Sequence, residues 1–178
     1  MELSTAVSLI QKGILSERTP QHWADLGAGS GLFTRALASL LTAGSTVTAV
    51  DRDESSLQSI VWHEKHVSLI TRTADFTSIN LPTPLDGVLM ANSLHYVKNT
   101  GRFLQSLALH LAASGRLLVI EYERNAPNPW VPYPVPFARL QRAGKEAGFQ
   151  KIEQLAETPS QFGNGSIYAA LLTFTWSN

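Results

Sequence analysis

HWADLGAGSGLFTRAL, residues His22 to Leu37, reads as a buried strand, a glycine-rich turn and a helix. Trp23, Ala24, Leu26 and Ala28 suit a parallel strand, where both faces are covered and the apolar–polar alternation is lost. Gly27, Gly29 and Gly31 follow at every second position; glycine opens backbone torsions closed to other residues and lets a ligand approach the main chain. Leu32, Phe33, Ala36, Leu37, Leu40 and Leu41 then fall on one face of a helix. Such a unit presents backbone N–H groups and the positive end of a helix dipole to a ligand. The next strand, Thr46 to Val50, ends at Asp51, an acid ~20 residues beyond the glycines, where ribose hydroxyls are bound in nucleotide-binding sheets.

The glycine spacing is G-x-G-x-G, and Leu32 stands where G-x-G-x-x-G would place its last small residue. The pyrophosphate of a dinucleotide uses that longer form. The segment instead resembles motif I of the class I S-adenosylmethionine (SAM)-dependent methyltransferases, and Asp51 resembles their motif II acid. The resemblance runs over roughly residues 22 to 175 and is most specific in these two motifs. It implies a doubly wound α/β fold, with a mostly parallel seven-stranded sheet and a C-terminal antiparallel strand. It implies SAM as cofactor and S-adenosylhomocysteine (SAH) as product.

Outward from the glycine turn, Leu3, Val7, Ile10 and Ile14 keep helical spacing, which predicts a helix over 3–13 with Gly13 as its stop. That helix packs on the sheet, forms a lid over the site, or does both. Asp53 is a predicted N-cap for a short helix bearing Leu57, Ile60 and Val61. Val67–Thr71 and Leu85–Met90 are strands, joined by a proline-containing connection, 77–84, too short for a full crossover helix. Thr100 is read as the cap of a helix whose apolar face carries Phe103, Leu104, Leu107, Ala108 and Leu111. Gly115 ends the turn before strand Arg116–Tyr122. Phe137, Leu140, Gly144 and Ala147 mark a further helix. Strands over 149–155 and 167–176, joined by the short link 158–166, form an antiparallel hairpin. Residues 125–136 hold Pro127, Pro129, Pro132, Pro134 and Pro136, five of the chain's nine prolines, so this is a stiff loop. The chain is expected to form one domain over 1–178.

In parallel sheets the ligand lies beyond the carboxyl ends of the strands. The resemblance assigns Gly27, Ala28, Gly29 and Gly31 to the aminocarboxypropyl end of SAM, with Asp25 near its ammonium. Asp51, with Arg52 beside it, falls at the ribose. Asp75 and Phe76 fall at the adenine, the carboxylate accepting from N6 and the ring packing on the base; the alternative for Asp75 is a turn or cap residue. Asn92 follows the fourth strand in the motif IV region. His95 is a candidate general base because imidazole titrates near neutrality, although the same residue serves structural roles in that family. Glu121 and Glu123 end the fifth strand at the same rim, as candidate bases or as solvated turn carboxylates. Tyr96, Tyr122, Trp130 and Tyr133 either line an acceptor pocket or pack under the proline-rich loop.

Composition narrows the classes. The chain has 178 residues, 44% apolar and 16% charged, with formal net charge zero. That is a globular composition without the basic surplus of most nucleic-acid readers, so the expected partner is a small-molecule acceptor. No ~18-residue apolar run marks a membrane span, and no basic-then-apolar leader is evident, which makes cytoplasm the expected location. There are no cysteines, so thiolate metal sites and cysteine nucleophiles are excluded, and no metal is expected. NSLHY after strand four departs from the acidic-or-Asn, Pro-Pro-aromatic motif of DNA amino-methyltransferases. Residues 91–101 contain no glutamate pair of the protein arginine methyltransferase kind. A SAM-dependent methyltransferase acting on a small molecule is the reading, with a non-catalytic SAM-fold module and a nicotinamide-dependent oxidoreductase as rivals.

Overall fold

The computed structural model describes residues 1–14, 19–81, 83–160 and 165–174. In chain order the elements are α1 (Leu3–Ile10), β1 (His22–Leu26), α2 (Leu32–Ala38), β2 (Thr46–Asp51), α3 (Glu54–Gln58), β3 (Ser68–Thr73), β4 (Leu85–Ala91), α4 (Thr100–Ala108), β5 (Leu111–Tyr122), α5 (Phe137–Glu146), β6 (Lys151–Pro159) and β7 (Ser166–Thr173). They build a seven-stranded sheet in the order β3-β2-β1-β4-β5-β7-β6. Strands β1 to β5 are mutually parallel, and β7 runs antiparallel between β5 and β6. The doubly wound sheet and the terminal antiparallel strand are the expected ones.

Successive side chains on a strand point to opposite faces, and the central strands are apolar on both. Ala24 and Leu26 of β1, Val88 and Met90 of β4, and Leu117 and Val119 of β5 pack under α4 and α5 with Leu104, Leu107 and Leu140. Trp23, Leu89, Leu118 and Ile120 face the other way and meet Ala6, Leu9 and Ile10 of α1 and Phe33 and Leu37 of α2. Trp23 fits because its register partner on β4 is Gly87, where a Cβ would lie 2.3 Å from the indole. Truncating a fully buried leucine such as Leu89 or Leu118 to alanine costs about 2–5 kcal/mol in cores of this kind.

Several boundaries differ from the sequence reading. The first helix is α-helical only to Ile10 and tightens to a 3₁₀ turn over Gln11–Gly13. Gly13 there allows close packing on β5, since a Cβ would fall 2.3 Å from Leu118 Cδ2. Helix α2 stops at Ala38, before Leu40 and Leu41. Asp53 does cap α3, accepting from Ser55 N–H at 3.0 Å, but α4 is capped by Asn99 instead of Thr100, its side chain accepting from Arg102 N–H at 3.1 Å. Leu111 belongs to β5, not to α4: it pairs with Leu85, and Gly115 lies within the strand at a register shift. Gly115 is required there because a Cβ would sit 2.8 Å from the Ala112 carbonyl oxygen. Strand β6 begins at Lys151, while Phe149 precedes it and stacks on Phe174 at 4.5 Å. The end of the last predicted strand, 175–176, and part of the 158–166 link lie outside the described residues.

Candidate active site

The carboxyl ends of β1, β2, β4 and β5 open onto three adjoining cavities, of about 300, 330 and 620 Å³, and Asn92 lines all three. Asn92 follows β4 with φ +53°, a left-handed conformation that asparagine tolerates better than most residues. Its N–H donates to the Ile120 carbonyl at 2.8 Å. Its buried Oδ1 has no partner among the described residues.

The first cavity lies between the β1 turn and the Asn92 loop, with Asp25, Gly27, Ala28, Gly29, Leu32 and Met1 in its lining. Asp25 is on the α2 side of β1, 1% exposed. One carboxylate oxygen accepts from the Thr34 hydroxyl at 2.6 Å; the other, Oδ1, is buried and unpartnered among the described residues. Burial pushes the Asp25 carboxyl up to about 7, the Thr34 hydroxyl pulls it down, and the negative charge of Asp51 adds a smaller upward push. Desolvation disfavours the charged form of an acid, and among the described residues no cation is paired with this carboxylate to offset it.

The three glycines have different jobs. All have positive φ. A Cβ on Gly27 would lie 2.4 Å from Ser93 Cβ, and one on Gly31 2.8 Å from Ile60 Cγ2; these two glycines serve packing. Gly27 draws the β1 turn against the β4 loop, where the Ser93 hydroxyl donates to the Leu26 carbonyl at 2.5 Å. A Cβ on Gly29 would meet nothing within 4 Å among the described residues, so Gly29 borders the open space of the first cavity. The expected row of free N–H groups is not what the turn presents. Gly27 and Ala28 N–H donate to the Val50 carbonyl, Gly31 N–H to the Ala28 carbonyl, and Gly29 N–H to Asp51 Oδ2 at 2.8 Å. Ala28 is accordingly part of the turn and not of β1, which ends at Leu26.

The second cavity holds Asp51, Arg52, Asp53, Asp75, Phe76 and Tyr96. Asp51 Oδ1 accepts from Asp53 N–H at 3.0 Å and Oδ2 from Gly29 N–H. Each carboxylate oxygen offers two lone pairs, so both retain capacity to accept a hydroxyl. Asp75 is a turn residue: its Oδ1 accepts from the N–H and the hydroxyl of Thr77, at 2.8 and 2.7 Å. These bonds, the Thr77 hydroxyl foremost, hold its carboxyl below the usual range. It lines the cavity as well. Phe76 packs edge-on against Phe103 at 5.9 Å. Arg52 is exposed, its guanidinium 5.9 Å from the Tyr96 ring centroid.

The third cavity is walled by Tyr96, Tyr122, Trp130 and Val131, with Asn92, His95, Arg124 and Asn128 as its polar groups. His95, on a 3₁₀ turn after β4, is 2% exposed and Glu121 of β5 is 0% exposed. The His95 ring nitrogen Nδ1 lies 2.8 Å from Glu121 Oε2 and 3.0 Å from Oε1, and the His95 backbone N–H donates to Oε1 at 3.0 Å. The two residues named separately from the sequence thus form one buried pair. Glu123 is not part of it: its carboxylate accepts from Phe137 N–H at 2.9 Å and caps α5. Tyr133 does not line this cavity; its N–H donates to the His95 carbonyl at 3.0 Å. The proline-rich loop divides its work. Val131, Pro134, Val135 and Pro136 are buried, and the Val135 carbonyl accepts from the Tyr168 hydroxyl at 2.6 Å, while Trp130 stands 74% exposed at the cavity mouth.

Residues 24–119 match the model of a methyltransferase domain, over more than half of the chain. The chain belongs to that family. A curated relative, the ubiquinone biosynthesis O-methyltransferase of Caulobacter sp. strain K31, is 32% identical over 104 residues, which are 56% of this chain and 40% of the relative. The chain therefore matches well under half the length of that enzyme. Among solved structures, YcgJ from Bacillus subtilis superposes with TM-score 0.70 over 97% of this chain and 100% of its own, at 12% identity. The 1,6-didemethyltoxoflavin N1-methyltransferase of Burkholderia thailandensis, solved with 1,6-didemethyltoxoflavin and SAH, does so with TM-score 0.70 over 97% and 78%, at 20% identity. At these identities the likeness establishes the fold.

In this methyltransferase domain the structure brings Asp25, Gly29, Asp51, Asp75 and Asn92 around two adjoining cavities, and His95, Tyr96 and Trp130 around the third. Sequence reasoning missed Thr34, whose hydroxyl holds Asp25. A threonine nine residues downstream and one turn into α2 was the available signal. It also missed Arg124 and Asn128, which carry no motif and reach the site only through the folding of their loop, and it gave Ser93 no role within the stretch that follows β4. Among the described residues no group of three or more His, Asp or Glu side chains is placed to hold a metal ion. No helix among them is long and apolar enough to cross a membrane.

Proposed function

We propose that this chain is a SAM-dependent methyltransferase that methylates a small-molecule acceptor, with His95 as general base. The observation that carries the proposal is the buried Asp25 Oδ1, unpartnered among the described residues, at a cavity that shares Asn92 with both the Asp51 cavity and the His95 cavity. The residues fit SAM. Asp25 supplies the anion that a methionine ammonium requires, Gly29 leaves the space a side chain would fill, and Asp51 has lone pairs left for two ribose hydroxyls. Arg52, Asp75 and Phe76 then fall at the nucleoside end and Asn92 where the two ends meet.

When bound, SAM supplies a methyl group on a sulfonium, which the acceptor takes while the electron pair of the broken bond stays on sulfur. The rest belongs to the protein. Alignment of acceptor and donor supplies much of the acceleration in such a displacement. An acceptor hydroxyl must also lose its proton, and the His95–Glu121 pair is built for that. Glu121 accepts from Nδ1–H, which fixes the tautomer and leaves the Nε2 lone pair to take the proton. The imidazolium that results is paired with a buried carboxylate. Tyr96 and Trp130 form the acceptor wall; Tyr133 supports it through its backbone bond to His95. Residues 1–14 of the expected N-terminal cover double as packing and cover, supported by the burial of Ala6, Leu9 and Ile10 and by Met1 in the lining of the first cavity. One domain over 1–178 and a cytoplasmic location complete the reading.

Calorimetric titration with SAH tests it. Asp51→Ala should weaken binding by about 2 kcal/mol or more through loss of charge-assisted hydrogen bonds, and should also lower the melting temperature, because the Gly29 and Asp53 N–H groups lose their acceptor. Equal affinities for wild type and variant remove the ribose assignment. SAH binding without methyl transfer to any acceptor would identify a non-catalytic module.

A further inference from the structure

We infer that the acceptor is a planar aromatic hydroxy acid, its ring against the tyrosine and tryptophan walls of the third cavity and its anionic group on Arg124. The inference rests on the methyltransferase reading of that cavity and adds the class of molecule it selects. The cavity measures about 620 Å³, within the range of sites for small organic ligands. Tyr96, Tyr122 and Trp130 offer flat, polarisable surface with few torsions to freeze, which suits a conjugated ring. Among the described residues that line it, Arg124 alone carries a fixed formal charge and none is acidic; the nearby Glu121 is fully buried and committed to His95.

Arg124 is also held in place. Its N–H donates to the Tyr122 carbonyl at 2.9 Å, which turns the chain sharply at the end of β5. Its Nε donates to the Ala126 carbonyl at 2.8 Å. A guanidinium anchored through Nε has its two terminal amino groups left for a bidentate contact with a carboxylate. The positive charge also reaches the Tyr122 phenol, where it opposes the upward push of burial and of Glu121. A neutral acceptor filling this cavity would strip water from a partly buried cation without replacing it, which is unfavourable; an anionic acceptor pairs with it. His95 at the same cavity then receives the hydroxyl end, so one wall reads acidity of the ring hydroxyl and the other reads charge.

The test uses the SAH-loaded protein at pH 7.5 and one matched pair of probes, 4-hydroxycinnamate and its methyl ester, titrated calorimetrically. Wild type should bind the acid at least about tenfold more tightly than the ester. Arg124→Met should abolish that preference by weakening the acid alone, and Arg124→Lys should restore part of it, because a point charge lacks the fork. Equal affinities for acid and ester, failure of both to bind, or an Arg124→Met variant that keeps the preference would overturn the inference. The SAH titration that precedes the probes separates the two levels: failure to bind SAH defeats the methyltransferase reading, whereas SAH binding without acid selectivity defeats only this one.

Discussion

Replacing Asp25 with asparagine should stabilise the ligand-free protein at alkaline pH and cripple its cofactor binding. The carboxyl is pushed from 3.8 up to about 7 by burial, and each unit corresponds to about 1.4 kcal/mol, so the ionised side chain costs the folded state on the order of 4 kcal/mol above neutrality. Below pH 3.8 the group is protonated in both folded and unfolded chains and the cost is absent. Between 3.8 and 7 the folded state holds one proton more than the unfolded state, so stability falls as pH rises, by up to about 1.4 kcal/mol per unit, and levels off above 7. Asparagine has no such slope. Its oxygen keeps the Thr34 hydroxyl bond, and its buried NH₂, placed where Oδ1 now lacks a partner, gives back about 1–3 kcal/mol. The net gain at pH 8 is then about 1–3 kcal/mol, or roughly 2–10 °C in melting temperature for a domain of this size. Urea unfolding of both proteins at intervals from pH 5 to 8.5 measures the difference. The same variant should bind SAH at least about tenfold more weakly, having lost the anion for the ammonium, and wild-type affinity for SAH should rise with pH up to about 7. A wild type and variant whose stabilities stay parallel across that range would refute the burial argument. Unchanged SAH affinity would refute the ammonium assignment.

Three further outcomes follow from the geometry. Asp75→Asn should weaken SAH binding modestly and Asp75→Ala more, because the amide oxygen can still accept; equal and negligible losses in titration would leave Asp75 only its Thr77 turn. His95→Gln should lower kcat by about 10²-fold or more, as loss of a general base does. Glu121→Gln should lower it as well while SAH affinity stays within about twofold; if melting temperature falls in both variants while kcat holds, the pair is scaffold alone. Trp130→Ala, at an exposed position, should raise the KM for the acceptor and leave SAH affinity within about twofold; steady-state kinetics that show no change in KM would move the acceptor elsewhere.

The strand–turn–helix at 22–37 and the acid at Asp51 were legible because they depend on local rules: buried parallel strands lose alternation, helices keep their period, and tight turns need glycine. The individual strands and helices followed from these rules, while the seven-stranded sheet with its antiparallel end was what the resemblance to the methyltransferases implied. Boundaries at Asn99, Leu111 and Lys151 were not legible, because a cap and a register shift are settled by neighbours distant in sequence. The glycines show the division most plainly. The sequence presents Gly27, Gly29 and Gly31 as equivalent, yet only the packing of Ser93 and Ile60 reveals that two of them serve close approach and that Gly29 faces open space. Likewise His95 and Glu121 were separate candidates 26 residues apart. Strands β4 and β5 are adjacent and parallel, so His95, just past the end of β4, meets Glu121, near the end of β5, and the imidazole and carboxylate become one buried pair. The chain by itself determined which residue types reach the carboxyl edge of the sheet, since periodicity and turn chemistry are local. Which of them face a cavity, which are spent on neighbours, and that Asp25 keeps an oxygen unpartnered among the described residues were decided by the tertiary structure, because burial and pairing depend on contacts that no local spacing encodes.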